Sequence, residues 1–349
     1  MGNDIEIFHD ALLQKGGAEQ VASQWAVAFN TDLNVLGKSP EHRTDSKFTI
    51  NVLIPWIRTQ RILELIYPFL PLMYPFIKTR PHQIRLVSTT GVAHQFPGRW
   101  EKRVLYIHSP ARWIWDKESF DINRKKIEII AANILRPFFK YYDRKSIRKD
   151  DVLVVNSNAT RLKVAKAYSR DASVVFPPIV SKYPTTSKIE LPPNFSKFFL
   201  HVGRVRGYKG VDFLLGAFNS TEFKLVMVGE STEKFKTDSI LGLGFVPPSE
   251  LRWLYENAEA LVAVSREDFG LTPVEASSYG CPTLAFRHLG YLDSVKEGIN
   301  GKYVIPNDLQ DLRLNISRHQ KVSYSEIAMQ EFAHQFSLEN HIEKLRGFL

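Results

Sequence analysis

Residues 198–218 read FFLHVGRVRGYKGVDFLLGAF. The apolar run 198–203 predicts a strand that is buried on both faces, and the helical pattern 211–218 follows it after a loop of glycines and cations. A buried strand that leads through a short loop into a helix is the repeating unit of a parallel sheet covered by helices. This stretch therefore predicts an α/β fold.

The same alternation continues through most of the chain. Further buried strands are predicted at 5–9, 152–156, 173–176, 223–229, 260–265 and 282–286, and helices at 18–29, 249–257 and 273–279. Residues 176–197 hold five prolines and little periodicity, which is typical of a linker between domains. We therefore expect two doubly wound, Rossmann-like domains that face each other across a cleft. We expect the N-terminal domain at 1–180, the linker at 181–197 and the C-terminal domain at 198–335. A last helix is expected at 336–349, and one option is that it packs on the N-terminal domain.

Composition excludes several classes of protein. The single cysteine, Cys281, allows neither an internal disulfide nor a zinc ribbon, which indicates a reducing compartment. The N-terminus lacks the basic and apolar segments of a secretory signal. The longest apolar stretch, 62–77, contains three prolines and falls short of the roughly 20 residues that span a bilayer. We expect a cytoplasmic protein without a transmembrane helix, with attachment to the inner face of the cell membrane as an option.

The excess of positive charge lies in the first half. Residues 1–180 hold 27 Lys and Arg against 17 Asp and Glu, whereas the remaining residues hold 19 against 20. Such a surface suits anionic lipid, a phosphorylated acceptor or nucleic acid, or it serves only solubility. No zinc finger, helix-turn-helix or RNA-binding aromatic pattern is present, so nucleic acid is not an expected partner.

Two glycine-containing loops are candidate phosphate sites. Gly16 and Gly17 follow the first strand and begin a helix, where the backbone N–H groups can face an anion, although such a pair is also common in tight turns. In HVGRVRGYKG, residues 201–210, Arg204 and Lys209 flank a strand-to-helix loop that begins at Gly203. Both cations can converge on a diphosphate, or they are incidental cations of a solvated loop.

The most specific motif is EDFGLTPVE, residues 267–275, directly after a predicted strand. Its two glutamates flank a strand-to-helix turn, and a carboxylate can accept hydrogen bonds from a pair of sugar or ribose hydroxyls. Backbone N–H groups at Phe269, Gly270, Leu271 and Thr272 can add donors for a departing phosphate. The alternative for residues 272–275 is a capping box with proline at the first helical position, which leaves Glu267, Phe269 and Gly270 unexplained.

A histidine at the end of a predicted strand is a further candidate. In IHSPARWIWD, residues 107–116, His108 can contact a sugar hydroxyl or stabilise charge at the reacting centre. The alternative is a structural hydrogen bond.

Six motifs together resemble the retaining glycosyltransferases of family 4, which have the GT-B fold. They are EDFGLTPVE, HVGRVRGYKG, HDALLQKGGAEQV (9–21), IHSPARWIWD, LGFVPPSEL (243–251) and GINGKYV (298–304). Within that family the chain looks most like bacterial mannosyltransferases that build surface polysaccharides. It departs from the family where a second glycine usually follows Gly229, because Glu230 and Ser231 stand there.

The resemblance implies a role for each candidate residue. Arg204 and Lys209 would bind the donor diphosphate, Glu275 the ribose and Glu267 the transferred sugar, while His108 would lie beside that sugar. The implied donor-binding set is Gly16, Gly17, Gly203, Arg204, Lys209, Val246, Phe269, Gly270, Leu271, Thr272 and Glu275. The catalytic set is Glu267, His108, Arg204 and Lys209.

The implied reaction transfers a hexose to a glycan or polyprenyl-diphosphate-linked acceptor, and the branch that the chain resembles implies mannose from GDP-mannose. The nucleotide sugar is a co-substrate, and neither a cofactor nor a metal is expected, since no DxD-like pair ends a predicted strand. Alternatives are a UDP- or dTDP-sugar donor, a non-catalytic nucleotide-sugar-binding subunit, and an epimerase or phosphorylase. Residues 136–149 and 67–76 are the candidate membrane contacts, or else a helix with its tyrosines in the core and a buried irregular connection.

Overall fold

The computed structural model describes residues 5–14, 16–42, 47–73, 82–117, 126–179, 185–205 and 210–349. The chain divides into two units. The first comprises Met1–Pro177 together with His341–Leu349, and the second comprises Pro178–Asn340. The predicted linker residues 181–184 and the candidate Lys209 lie outside the described residues.

The first unit is a parallel sheet with helices. Its strands are β1 (Ile5–His9), β2 (Leu33–Val35), β3 (Ile50–Val52), β4 (His82–Thr89), β5 (Trp100–Ile107), β6 (Val152–Val155) and β7 (Ser173–Val174), in the order β3-β2-β1-β4-β5-β6-β7. Its helices are α1 (Gly17–Ala28), α2 (Gln60–Ile66), α3 (Leu70–Met73), α4 (Arg112–Trp115), α5 (Lys126–Ser146) and α6 (Asn158–Tyr168).

The second unit repeats this architecture. Its strands are β8 (Phe199–Val202), β9 (Leu225–Val228), β10 (Ile240–Gly244), β11 (Leu261–Ala263), β12 (Thr283–Phe286) and β13 (Gly301–Val304), in the order β10-β9-β8-β11-β12-β13. Its helices are α7 (Val211–Phe218), α8 (Pro248–Asn257), α9 (Leu271–Ser278), α10 (Tyr291–Ser294), α11 (Leu309–Ser317) and α12 (Glu326–His334), and α13 (Leu338–Arg346) runs from this unit into the first.

All of the strand pairs described within the two sheets are parallel. The order of strands reverses beside β1 in one unit and beside β8 in the other, which makes both units doubly wound. Ligands of such sheets bind at the carboxyl ends of the strands, at this point of reversal. The predicted α/β class with two doubly wound units is therefore confirmed.

The predicted strands form because their side chains fill the space between sheet and helices. The apolar runs of β8, β9, β11 and β12 are buried almost throughout, as expected of strands covered on both faces. Each of these strands is one to three residues shorter than its predicted run. The sequence did not predict β4 as a strand, because charged residues interrupt it: Arg85 is buried and donates two hydrogen bonds to the Glu6 carboxylate, at 2.7 and 2.9 Å.

The C-terminal segment packs on the first unit through a buried histidine. Trp25 Nε1 donates to His341 Nε2 at 2.8 Å, and His341 Nδ1 donates to the carbonyl oxygen of Phe176 at 2.7 Å. Burial lowers the pKa of His341 to about 4, so the ring is neutral near pH 7.

Within the described ranges, every helix is too short or too polar to cross a bilayer.

Candidate functional site

The loop after β8 lies at the carboxyl edge of the second sheet. Gly203 donates its N–H to the carbonyl oxygen of Val228 at 2.8 Å, and Val205 donates to that of Glu230 at 3.0 Å. Arg204 lies between them and is partly exposed to solvent. The structure therefore holds Arg204 at the point where ligands of doubly wound sheets bind.

The loop after β9 packs directly against the loop after β8. Gly229 has φ +133°, and a side chain there would collide with the backbone carbonyl of Gly203. Ser231 has φ +65°, in the left-handed region that glycine adopts without strain. Ser231, close to the position where the family that the sequence resembles usually has a second glycine, thus has a backbone conformation typical of glycine.

The carboxylate of Glu267 is oriented by two residues that the sequence analysis missed. The hydroxyl of Ser265 donates to Glu267 Oε1 at 3.1 Å, and Ser265 Oγ lies 2.6 Å from the hydroxyl oxygen of Tyr291. Since Ser265 has a single hydrogen, the Tyr291 hydroxyl donates to it in turn. Burial raises the pKa of Tyr291 well above its ordinary value, so this hydroxyl keeps its proton.

The turn between the two glutamates requires glycine. Gly270 has φ +88°, and a Cβ there would lie 2.6 Å from Cε1 of Tyr291. Residue 270 is the N-cap of α9, and Leu271 and Thr272 form its first turn, both partly exposed. The side chain of Phe269 is buried against Phe336 at 5.5 Å between ring centroids, so only its backbone faces the turn.

The capping alternative for Thr272 is not supported. The helix starts at Leu271, and within the described residues no side chain caps it. Glu275 instead lies near α8, where the Tyr255 hydroxyl donates to its Oε2 at 3.4 Å. The carboxyl of Glu275 is partly exposed, yet the surrounding protein removes enough water to raise its pKa to about 7. Ionisation of the Glu275 carboxyl is thus less favourable in the folded protein than in water.

This unfavourable ionisation leads to a prediction for Glu275→Gln. A carboxyl with its pKa raised from 4.5 to about 7 stabilises the folded protein below pH 4.5 and loses that contribution as pH rises to 7. At pH 8 we expect Glu275→Gln to raise the free energy of unfolding by about 2 kcal/mol while weakening donor binding, because the amide accepts fewer hydrogen bonds. Denaturant unfolding at pH 5 and pH 8 measures the difference, and an equal effect at both would contradict the assignment.

Val246 follows β10 and packs partly buried against the core, just before α8. It shares the carboxyl edge of the sheet with Gly203, Arg204, Glu267 and Glu275. The second unit therefore brings together, at one edge, the described donor-site candidates that belong to it.

The remaining candidates lie in the first unit, also at a carboxyl edge. Gly16 is the N-cap of α1 and Gly17 its first residue, and the buried carboxylate of Glu19 folds back over Gly16. His108 follows β5 and is buried, with its Nε2 2.8 Å from Ser88 Oγ. His108 thus makes the structural hydrogen bond that was the alternative to a role in binding. Its partner, Ser88, lies at the same carboxyl edge of the sheet.

A buried polar network supports the loop after β4, and sequence reasoning missed it. Asp10 accepts hydrogen bonds from the backbone N–H groups of Thr90 and Val92, at 2.5 and 3.1 Å, so it shapes the turn that follows β4. Beyond it, His94 Nε2 lies 2.8 Å from Asp143 of α5. Burial alone would raise the pKa of Asp143, but His94 and the donors around it hold that pKa below the ordinary value.

Among the residues that the structure describes, no group of three or more His, Cys, Asp and Glu side chains is arranged to hold a metal ion.

Comparison with protein families matches a part of the second unit. Residues 183–321 match the family described as glycosyl transferases group 1. A GDP-mannose-dependent alpha-mannosyltransferase of Corynebacterium glutamicum is 31% identical over 116 residues, which cover 32% of this chain and 28% of that protein. The matches span about a third of the length of the curated relatives.

Solved structures resemble the whole chain. A sucrose-phosphate synthase of Thermosynechococcus elongatus has a TM-score of 0.71 at 14% identity, covering 98% of this chain and 97% of that one. Anabaena HepE in complex with UDP-glucose has a TM-score of 0.67 at 16% identity, covering 98% and 99%. With the two parallel-sheet units, these likenesses show that the chain shares the GT-B fold of the solved structures, and its residues 183–321 match the group 1 glycosyl transferases.

Proposed function

We propose that this chain is a retaining glycosyltransferase of family 4 that transfers a hexose from a nucleotide diphosphate sugar. The observation that carries the proposal is the turn from Glu267 to Glu275. Its two carboxylates flank Gly270 at the carboxyl edge of the second sheet, in the segment that follows β11, the strand adjacent to β8. Carboxylates for hydroxyl pairs and a cation for a diphosphate are the groups that a nucleotide sugar requires.

In this proposal each residue has one role. Arg204 and Lys209 stabilise the negative charge that develops on the leaving diphosphate, with backbone N–H groups at the start of α9 beside them. Glu275 binds the ribose, and Glu267 holds hydroxyls of the transferred sugar. In the first unit, Gly16 and Gly17 approach the donor phosphates and His108 contacts the sugar.

The resemblance to family 4 implies that the anomeric configuration is retained. Since no motif places a carboxylate as a covalent nucleophile, we propose attack on the same face as the leaving group. The acceptor hydroxyl gives its proton to the departing diphosphate, and the new glycosidic bond forms as the bond to the diphosphate breaks. We also propose that the reaction needs no metal ion, so the protein should be fully active in the presence of a chelator.

The donor is proposed to be GDP-mannose. Support comes from the sequence similarity to the mannosyltransferase of Corynebacterium glutamicum, whose name states that it depends on GDP-mannose. The structure of Anabaena HepE, solved with UDP-glucose, makes a UDP-sugar the alternative to test, together with dTDP-sugars.

A donor panel tests the function. Purified protein is given GDP-mannose, UDP-glucose, UDP-galactose and dTDP-sugars, and both nucleotide diphosphate release and saturation binding are measured. We expect one donor to bind and turn over. Binding without release, across acceptors of the glycan and polyprenyl-diphosphate classes, would instead favour a non-catalytic nucleotide-sugar-binding subunit.

The acceptor is proposed to be a glycan or polyprenyl-diphosphate-linked molecule in surface polysaccharide synthesis, met at the cytoplasmic face of the membrane. The support is helix α5. Ile130, Ile134, Phe138 and Tyr141 follow one another at intervals of four, four and three residues, so they share one face, and all are more than half exposed. Lys145 extends this face, with its Nζ 4.8 Å from the Tyr141 ring centroid.

Some residues of the two predicted membrane contacts are buried in the first unit and do not face solvent. Arg136 is buried and donates to the carbonyl oxygen of Trp113, and Phe139 is buried. In the second predicted contact, Leu70 is buried while Phe69 is exposed, and residues 74–76 lie outside the described residues. Exposed apolar side chains beside cations suit an anionic bilayer, which attracts the cations and takes up the apolar face.

Flotation with vesicles measures this attachment. We expect binding to vesicles that contain anionic lipid, weaker binding at high salt, and loss of binding in an Ile134→Ser, Phe138→Ser variant. Ile327→Ser, which removes an exposed isoleucine of the second unit, serves as the matched control. Equal flotation of the α5 variant and the control would remove α5 as the contact.

A further inference from the structure

Three polar side chains form a buried chain across neighbouring strands of the first sheet. His9 ends β1, Ser88 lies one residue before the end of β4, and His108 follows β5. His9 Nδ1 lies 3.0 Å from Ser88 Oγ, which in turn lies 2.8 Å from His108 Nε2. His9 and Ser88 are register partners in the sheet, so the backbone holds the first contact in place.

The direction of these hydrogen bonds follows from a carbonyl group. His9 Nδ1 also lies 3.2 Å from the carbonyl oxygen of Ser88, which can only accept a hydrogen bond. The hydrogen of His9 is therefore on Nδ1, and Ser88 Oγ accepts from it as well. The hydroxyl hydrogen of Ser88 is then directed to His108 Nε2.

The opposite assignment is unfavourable. If His108 Nε2 donated to Ser88, the hydroxyl hydrogen of this fully buried serine would have no acceptor among the contacts that the structure describes. A buried hydroxyl hydrogen that meets no acceptor costs free energy and is rare in folded proteins. His108 Nε2 is therefore the acceptor, and the neutral ring carries its hydrogen on Nδ1.

We propose that His9 and Ser88 are positioning residues that hold His108 as the Nδ1–H tautomer, so that His108 donates a hydrogen bond to an oxygen of the transferred sugar and does not act as a base. The inference rests on the proposed function, in which His108 contacts that sugar. It agrees with a reaction in which the acceptor's proton goes to the departing diphosphate, since the ring is then not required to take it.

The tautomer is measured without any substrate. In protein labelled with ¹⁵N-histidine, long-range ¹H–¹⁵N spectra distinguish a protonated from an unprotonated ring nitrogen, and a His108→Gln variant assigns the signals. We expect His108 with hydrogen on Nδ1, and a shift of the hydrogen toward Nε2 in Ser88→Ala. A wild-type His108 with its hydrogen on Nε2 would overturn the proposal.

Kinetics with the donor found by the panel test the consequence. We expect Ser88→Ala and His9→Leu to lower kcat roughly 10- to 100-fold, the usual effect of removing a partner that orients a functional histidine, with donor KM changed less than about twofold. His9→Asn should restore most of the activity, because its amide N–H takes the place of the Nδ1 donor. Ser239→Ala, at a buried serine directly before β10 in the second unit, is the matched control.

The outcomes separate this inference from the proposed function. Full activity of Ser88→Ala with a displaced hydrogen, or a His9→Leu defect that His9→Asn does not relieve, overturns the positioning role. If His108 has the expected tautomer but the protein transfers sugar from none of the donors, then the role of His108 toward a sugar is wrong, and so is the proposed function. The hydrogen-bond assignment holds in that case.

Discussion

Glu267→Gln is expected to lower kcat roughly 100- to 1000-fold, the usual cost of removing one preorganised group from a reacting centre. The carboxylate is held in place before any ligand arrives, because Ser265 donates to Oε1 and Tyr291 orients Ser265. The amide can keep the hydrogen bond from Ser265 but loses the negative charge. The variant should therefore fold normally and fail in turnover.

Steady-state rates with the best donor, together with thermal unfolding, measure this effect. Glu222→Gln, at an exposed glutamate that precedes β9, removes the same charge away from the carboxyl edge and should leave kcat unchanged. A Glu267→Gln enzyme within about twofold of the wild-type rate would remove Glu267 from the catalytic set.

The double variant Arg204→Ala, Lys209→Ala should have the other large effect. Each cation is proposed to stabilise the leaving diphosphate, and losing one preorganised group costs on the order of a few kcal/mol in the barrier. We expect kcat to fall at least about 100-fold, with product nucleotide diphosphate also binding more weakly.

A second pair of cations is the control for general loss of charge. Lys296→Ala, Lys302→Ala removes the same two charges from exposed positions before and on β13. If both double variants slowed the reaction equally, and high salt reduced the difference from wild type, then long-range attraction would explain the effect and direct contact with the diphosphate would not.

Some strands could be predicted and others could not. The strands β8, β9 and β12 have unbroken apolar runs because both faces are covered, and such runs are recognisable in isolation. In β4 the same burial is achieved with Arg85, whose charge is neutralised by Glu6 on β1. A charge whose partner lies 79 residues away looks like a surface residue to any local pattern.

The candidate site also contains contacts between distant segments that local sequence patterns do not reveal. The spacing of Glu267 and Glu275 around a glycine indicated a turn with two inward carboxylates. Ser265 and Tyr291 were missed, because Tyr291 comes from a segment 26 residues away and meets Ser265 only through packing. The raised pKa of Glu275 likewise comes from burial by surrounding residues, against the lowering effect of the hydrogen bond from Tyr255, and no motif encodes either contact.

The amino-acid sequence alone predicted the α/β class and the two doubly wound units from its periodicity, and it gave candidate site residues through its motifs and the family that they resemble. Which nitrogen of His108 bears its hydrogen, how Glu267 is oriented and which cations reach solvent were decided by tertiary structure. Hydrogen-bond direction and desolvation depend on neighbours from distant segments, and folding alone brings those neighbours together.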